Sequence, residues 1–275
     1  MVSPLYLFAS PGYCALNQPV SFKYDSACSM EDILEDHEKE TVAQVWSAPG
    51  GPASKGWRSN PIAWLRDTTD GLSFGRSEYS IYLALALHPE QFSDRLRNTF
   101  CGAVGCAVTT ADDQVVVQER ASGLLAPHLL DSSAAGMIVI TDGRMDPESQ
   151  IREKLSRELG IQNIDFTMTG VHGSQDYVST QVTYKCRIPL SFAELKEKAN
   201  PTFMERVIGV PESKLGTFVL NHYVEGHEPK MIGDGVGVFL AAMELSKRMT
   251  YRNILNMRGA QISYARLEQE KIIAD

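Results

Sequence analysis

Between residues 146 and 160 the apolar positions Ile151, Leu155 and Leu159 recur every four residues, the spacing of a helix with one buried stripe. Both ends agree with a helix. Asp146 belongs to the residue types that cap a helix start, Pro147 suits the first turn, and Gly160 suits the stop. At about 100° per residue, Glu158 falls roughly 60° from the centre of the stripe, at the edge of the buried face. Lys154 and Arg157 lie on the same flank, further out. Glu153 points away from the core, with Arg157 as its partner four residues on.

Elsewhere the pattern alternates between strand and helix periods. Residues 102–110, GAVGCAVTT, predict a buried strand, and residues 114–120, QVVVQER, a second strand after the turn-forming Ala111-Asp112-Asp113. Two further strands are expected from Asp165 to His172 and from Val178 to Leu190. The latter puts Val178, Thr180, Val182, Tyr184, Cys186 and Ile188 on one face. A helix follows from Val236 to Met249, with an Asp or Gly of Gly233-Asp234-Gly235 as its cap and an apolar side through Val238, Leu240, Ala241 and Leu245. Upstream, residues 30–46 predict a helix with Ile33, Leu34, Val42 and Val45 on its apolar face. The Gly/Pro/Ser stretch 48–56 ends it, and apolar runs at Asn60–Leu65 and Leu72–Arg76 lead to a helix over Ser77–Leu87.

Residues 136–161, GMIVITDGRMDPESQIREKLSRELGI, resemble the Nudix box, the loop-helix signature of enzymes that cut diphosphate linkages. That signature runs Gly, five residues, Glu, seven residues, then Arg-Glu-apolar-x-Glu-Glu-x-Gly-apolar. Anchored on Gly160 and Ile161, two of its three helix carboxylates are replaced by Lys154 and Arg157, and Glu158 remains. Asp142, six residues after Gly136, stands where the first Glu belongs. The strand pair ending in Gln118-x-Arg120 resembles the family's opening hairpin, and Leu130–Gly136 takes the place of its Trp-x-x-Pro-Gly-Gly segment. The resemblance spans roughly residues 100–250. It implies an α/β fold, a Nudix-type α/β/α sandwich with a mixed sheet over residues 99–275. Residues 1–98 form an N-terminal accessory segment, of the kind that lids the pocket or forms a homodimer interface. Isopentenyl diphosphate isomerases share that fold and carry a catalytic Cys in a Ser-x-Cys-Gly-His segment. The corresponding stretch here is Ser133-Ala134-Ala135-Gly136-Met137, so that chemistry does not carry over.

The substitutions bear directly on metal chemistry. A Nudix hydrolase holds Mg²⁺ on this flank, and Mg²⁺ needs several oxygen ligands. Three carboxylates would carry about −3, whereas Lys154, Arg157 and Glu158 sum to about +1, and Coulomb repulsion opposes a divalent ion. The metal site is therefore expected to be degraded and no cofactor is expected. Under the hydrolase alternative, Mg²⁺ would rest on Glu158, Asp142 and Glu153. A plain surface reading also exists, since Glu153–Arg157 and Lys154–Glu158 are both at the spacing of solvated helix pairs.

Three residues are expected to carry chemistry. Glu158 is the acid or base, Asp131 is second because it opens the segment facing the pocket, and His172 closes a core strand. Arg120, Lys154 and Arg157 are expected to bind an anionic substrate. His222 and Tyr223 have no assigned place. Three functions follow: acid–base chemistry without the standard metal (isomerisation, cyclisation or hydrolysis of a small metabolite), Mg²⁺-dependent cleavage of a nucleoside or prenyl diphosphate, or a non-catalytic ligand-binding module. Resemblance to divergent Nudix-like proteins of filamentous fungi points to specialised metabolism.

Composition narrows the partners. The net charge of −8 and a pI near 5.3 oppose nucleic-acid binding. No apolar run reaches 18 residues, so no membrane span is expected. The apolar start lacks a basic flank, and the five scattered cysteines show no zinc spacing. A cytoplasmic protein with reduced thiols is the expectation.

Overall fold

The computed structural model describes residues 5–9, 22–67, 72–97, 100–122, 126–174, 179–200, 202, 204–223, 230–244, 247, 250–251, 253–254 and 262–264. Strands β1 (Leu5–Ala9) and β2 (Phe22–Ser29) precede helix α1 (Asp36–Ser47), strands β3 (Pro61–Asp67) and β4 (Leu72–Glu78), and helices α2 (Tyr79–Leu87) and α3 (Asp94–Arg97). Next come β5 (Phe100–Thr109), β6 (Gln114–Arg120), β7 (Leu130–Asp131), β8 (Ala134–Met137) and helix α4 (Pro147–Leu159). Strands β9 (Thr167–Ser174) and β10 (Ser179–Arg187), helix α5 (Phe192–Lys198), strand β11 (Met204–Pro211), helices α6 (Leu215–Tyr223) and α7 (Gly233–Ala242) and strand β12 (Ile262–Tyr264) complete the chain. The fold is α/β with a mixed sheet.

Helix α4 forms as its pattern predicts. The Asp146 carboxylate accepts from the Ser149 amide at 3.0 Å, and Gly160 takes the left-handed conformation, φ 66°, that ends the helix. Ile151, Leu155 and Leu159 are fully buried against one sheet face, where Val104, Cys106, Val182 and Tyr184 project. The other face is covered by α7, whose Val236, Val238, Phe239 and Leu240 cluster with Ala107, Val115 and Val117. Being covered on both sides, β10 buries Gln181 and Thr183 as well as Val182 and Tyr184.

At the centre, β10 runs parallel to β5, with Val182 opposite Val104, and antiparallel to β9, with Gln181 opposite His172. The β5–β6 hairpin parts after a single pair, Thr109 with Val115. From there β6 pairs with β11 and β7, while the edge of β5 is taken by β8 (Val104 opposite Gly136) and by β3 (Trp64 opposite Cys101). Through β3 the sheet runs on into β4 and β2, so the accessory segment shares backbone hydrogen bonds with the rest. A further cluster gathers Met30, Ile62, Trp64, Ile81 and Leu85 with Cys101 of β5.

Several element bounds differ from the sequence pattern. Residues 30–33 form a single 3₁₀ turn, and α1 starts only at Asp36, behind a capping box made by Glu35 and Glu38. Ser77 and Glu78 belong to β4, because their backbones pair with Ile62 and Pro61. Strand β9 starts at Thr167 rather than Asp165 and runs past His172 to Ser174. Strand β10 stops at Arg187, two residues before Pro189, which has no amide to give a ladder. Residue 178 lies outside the described residues. Helix α7 begins at Gly233 with Ile232 as its cap residue, so Asp234 lies within the first turn, and the helix ends at Ala242. Leu245 and Met249 lie outside the described residues, as does nearly all of the tail from Gln261. Cys28, Cys101, Cys106 and Cys186 are free thiols, and Cys14 lies outside the described residues. No helix among the described residues is long and apolar enough to cross a membrane.

Candidate active site

A cavity of about 590 Å³, within the size range of small-molecule sites, opens where β5 and β6 part. Ala103 of β5, Gln118 and Arg120 of β6, Asp131 of β7 and Ala135–Met137 around β8 line it, with the outer flank of α4 and the start of α7. The loop between β7 and β8 is held by Ser133, whose hydroxyl donates to Val116 O and accepts from the Val108 amide.

On the α4 side, Glu158 is buried, 5% exposed, yet reaches the cavity. Its carboxylate accepts from Arg157 Nη2 at 3.4 Å and from the Gln118 amide, which also donates to Ser133 O. Burial pushes the Glu158 carboxyl above the usual carboxylate range, against the pull of Lys154 and Arg157. Lys154 shows the converse, since burial draws its ammonium below the ordinary lysine value while Glu158 opposes the shift. The Lys154 side chain extends over Gly136, where a Cβ would come within 2.6 Å of Nζ. Arg157 pairs outward with Glu153 at 3.1 Å as well as inward with Glu158.

Facing them is a second charged group. Arg120 Nη1 donates to Asp131 Oδ2 at 2.6 Å, and the Ser132 amide donates to Asp131 Oδ1 at 2.7 Å. Burial pushes the Asp131 carboxyl up; Arg120 opposes this and the nearby Asp234 adds to it. A third wall comes from the accessory segment. Trp57, Tyr79 and Tyr82 line the cavity in series, with ring centroids 6.5 and 5.7 Å apart.

Six of the eight residues expected from the sequence therefore line one cavity: Glu158, Asp131, Arg120, Lys154, Arg157 and Glu153. His172 does not line it. It is fully buried in β9 behind the wall, with Nε2 3.8 Å from Asp234 Oδ1. Asp142 sits in the exposed Thr141–Arg144 turn and is not among the lining residues. His222 lies on α6, stacked on Phe218. The pattern gave no hint of Trp57, Tyr79, Tyr82 or Gln181, and Gln118 and Asp234 stand out in it only as part of the opening hairpin and as a cap. Only Asp234 carried a local signal, an acid placed at the start of an otherwise apolar helix.

These residues do not fit a magnesium ion on α4. Glu153 is exposed and engaged by Arg157, while Glu158 is flanked by an ammonium and a guanidinium. Among the described residues, Glu119, His128 and Glu205 bring ligand atoms within 4.8 Å of one another, but none of them lines the cavity, and Glu119 is paired with Arg206.

No family model and no curated protein matches this chain. Among solved structures it is similar to DR0079 from Deinococcus radiodurans, at 18% identity over 47% of this chain and 75% of that one, with a TM-score of 0.36. Similarity also extends to the NUDIX domain of Shewanella oneidensis NrtR, solved with ADP ribose, at 13% identity over 57% and 95% of the two chains and a TM-score of 0.36. Tm1382, a Nudix hydrolase candidate, aligns at 11% identity over 65% and 85%, with a TM-score of 0.33.

Proposed function

We propose that the cavity is the active site of a Nudix-like enzyme that moves protons on a small anionic metabolite, with Glu158 as the acid–base group. One observation carries this reading: the carboxylate retained on α4 is buried between two cations that replace the family's other carboxylates. A carboxyl raised above the usual carboxylate range binds its proton more tightly, as a general acid requires, and the carboxylate left behind is stabilised by Lys154 and Arg157. The proton that Glu158 gives up is regained from the substrate or from water as the product forms. Arg157, Lys154 and Arg120 draw the anion in, and Asp131 is the second acid–base group.

Isomerisation, cyclisation and hydrolysis each need such a transfer, and a role in fungal specialised metabolism is consistent with them. Residues 1–98 act as the accessory segment that walls the cavity, and residues 99–275 as the Nudix-like unit. No metal ion is required on α4. The test is calorimetric titration with Mg²⁺, together with turnover over a panel of diphosphates and small acids with and without EDTA. Turnover that survives EDTA and is lost in Glu158→Gln supports the reading. A tight Mg²⁺ isotherm with EDTA-sensitive phosphate release replaces it with the hydrolase. Ligand binding without turnover replaces it with a binding module.

A further inference from the structure

The α7 wall of the cavity carries polar groups that the acid–base reading leaves unused. Gln181 is 3% exposed and lines the cavity, and its Oε1 has no hydrogen-bond partner. It sits over Gly105, where a Cβ would fall 2.6 Å from that oxygen. Asp234, 7% exposed, also lines the cavity, and its carboxylate is fixed by the Ser179 hydroxyl at 2.7 and 2.9 Å. Behind Asp234 stands His172, fully buried, with neither ring nitrogen hydrogen-bonded. Gly237 leaves the room for that ring, since a Cβ there would fall 2.5 Å from Nε2. Buried polar atoms without partners are rare, and one carried by a side chain in a cavity wall is a place where a ligand can supply the missing group.

The missing group is a donor, because a glutamine oxygen and a carboxylate can only accept. The neighbouring guanidinium decides which donor. Arg120 lies beside this wall, held by Asp131 at 2.6 Å and within the field of Asp234. An ammonium can only donate, whereas a hydroxyl can donate to Gln181 or Asp234 and also accept from Arg120, whose charge Asp131 already offsets. We propose that Gln181 and Asp234 form a second subsite that binds a hydroxyl group of the substrate, so that the ligand is a hydroxylated small acid whose anionic end lies toward Lys154 and Arg157. His172 is the positioning residue that stands behind Asp234. This subsite deepens the acid–base reading above and rests on the same cavity.

Calorimetry with three probes tests it: gluconate, hexanoate and 6-aminohexanoate. Gluconate is expected to bind at least about tenfold more tightly than hexanoate, the effect of satisfying one buried acceptor. Gln181→Met and Asp234→Asn should each erase most of that preference, read as the ratio of the gluconate and hexanoate Kd values within each variant. His172→Gln should weaken gluconate alone, whereas a merely structural histidine would move both acids together. Equal affinity for gluconate and hexanoate, tightest binding of 6-aminohexanoate, or no binding of any probe overturns the subsite. Lys154→Met separates the two ideas: loss of both acids in that variant upholds the anion wall even where the hydroxyl preference fails. Acid binding that ignores Lys154 removes the wall instead.

Discussion

Two buried glutamates, Glu38 in the accessory segment and Glu158 in the cavity, share a side chain and differ in everything that surrounds it. Glu38 is fully buried, and its oxygens accept from the Ser93 and Glu35 amides, each at 2.8 Å. Burial alone would raise its carboxyl, but those bonds outweigh it and hold the group below the usual range. Glu158 receives the weaker Arg157 contact at 3.4 Å and an amide side chain, and burial wins. Backbone donors fixed by the fold make a carboxylate structural. Longer side-chain donors leave burial the larger influence and the carboxyl raised.

The comparison breaks most visibly in turnover. Glu158→Gln is expected to lower kcat/KM by on the order of a hundredfold or more, the usual contribution of a general acid, with little change in melting temperature. Steady-state kinetics beside a thermal melt checks both halves. Glu38→Ala should do the opposite. It orphans two amides and costs about 2 to 3 kcal/mol in urea unfolding, with any kcat unchanged in the folded protein.

Acid titration of stability sharpens the contrast. With its value lowered from 4.5, Glu38 contributes stability that is present above 4.5 and lost as pH falls through its folded value. With its value raised from 4.5, Glu158 contributes stability that is complete below 4.5 and lost as pH rises through its folded value. Glu38→Gln should therefore flatten the acid limb of the pH–stability curve, and Glu158→Gln the decline toward neutrality. Unfolding free energies measured from pH 3 to 8 would show either slope, and a shared direction would end the comparison. The smallest effect is expected at Trp57. Trp57→Ala should raise KM about threefold to tenfold with kcat unchanged, because a rim ring contributes roughly 1 kcal/mol of contact.

Local period made most of the cavity's charged side legible. Helix α4 follows from Ile151, Leu155 and Leu159, and its phase placed Glu158 at the core edge and Lys154 and Arg157 beside it. Strands β5 and β6 were equally plain from their apolar runs. Alternation at β10 grouped Thr180, Val182 and Tyr184 on one face and left Gln181 unassigned, because nothing local shows that α7 covers the other face. Trp57 and Tyr79 flank β3, which is held to β5 and to residues 138–140 by pairings between segments some forty residues or more apart. Asp234 resembled a cap, and its role depends on Ser179, fifty-five positions earlier. Charge and period act over a few neighbours; these contacts depend on topology.

The pairing of β3 with β5 also governs the order in which the chain can settle as it leaves the ribosome. Strands β3 and β4 emerge before β5, and β5 before its parallel neighbour β10. Ala63, Leu65, Leu72 and Phe74 thus await apolar partners made later in synthesis. A nascent fragment ending before residue 100 would lack those partners and leave that face uncovered.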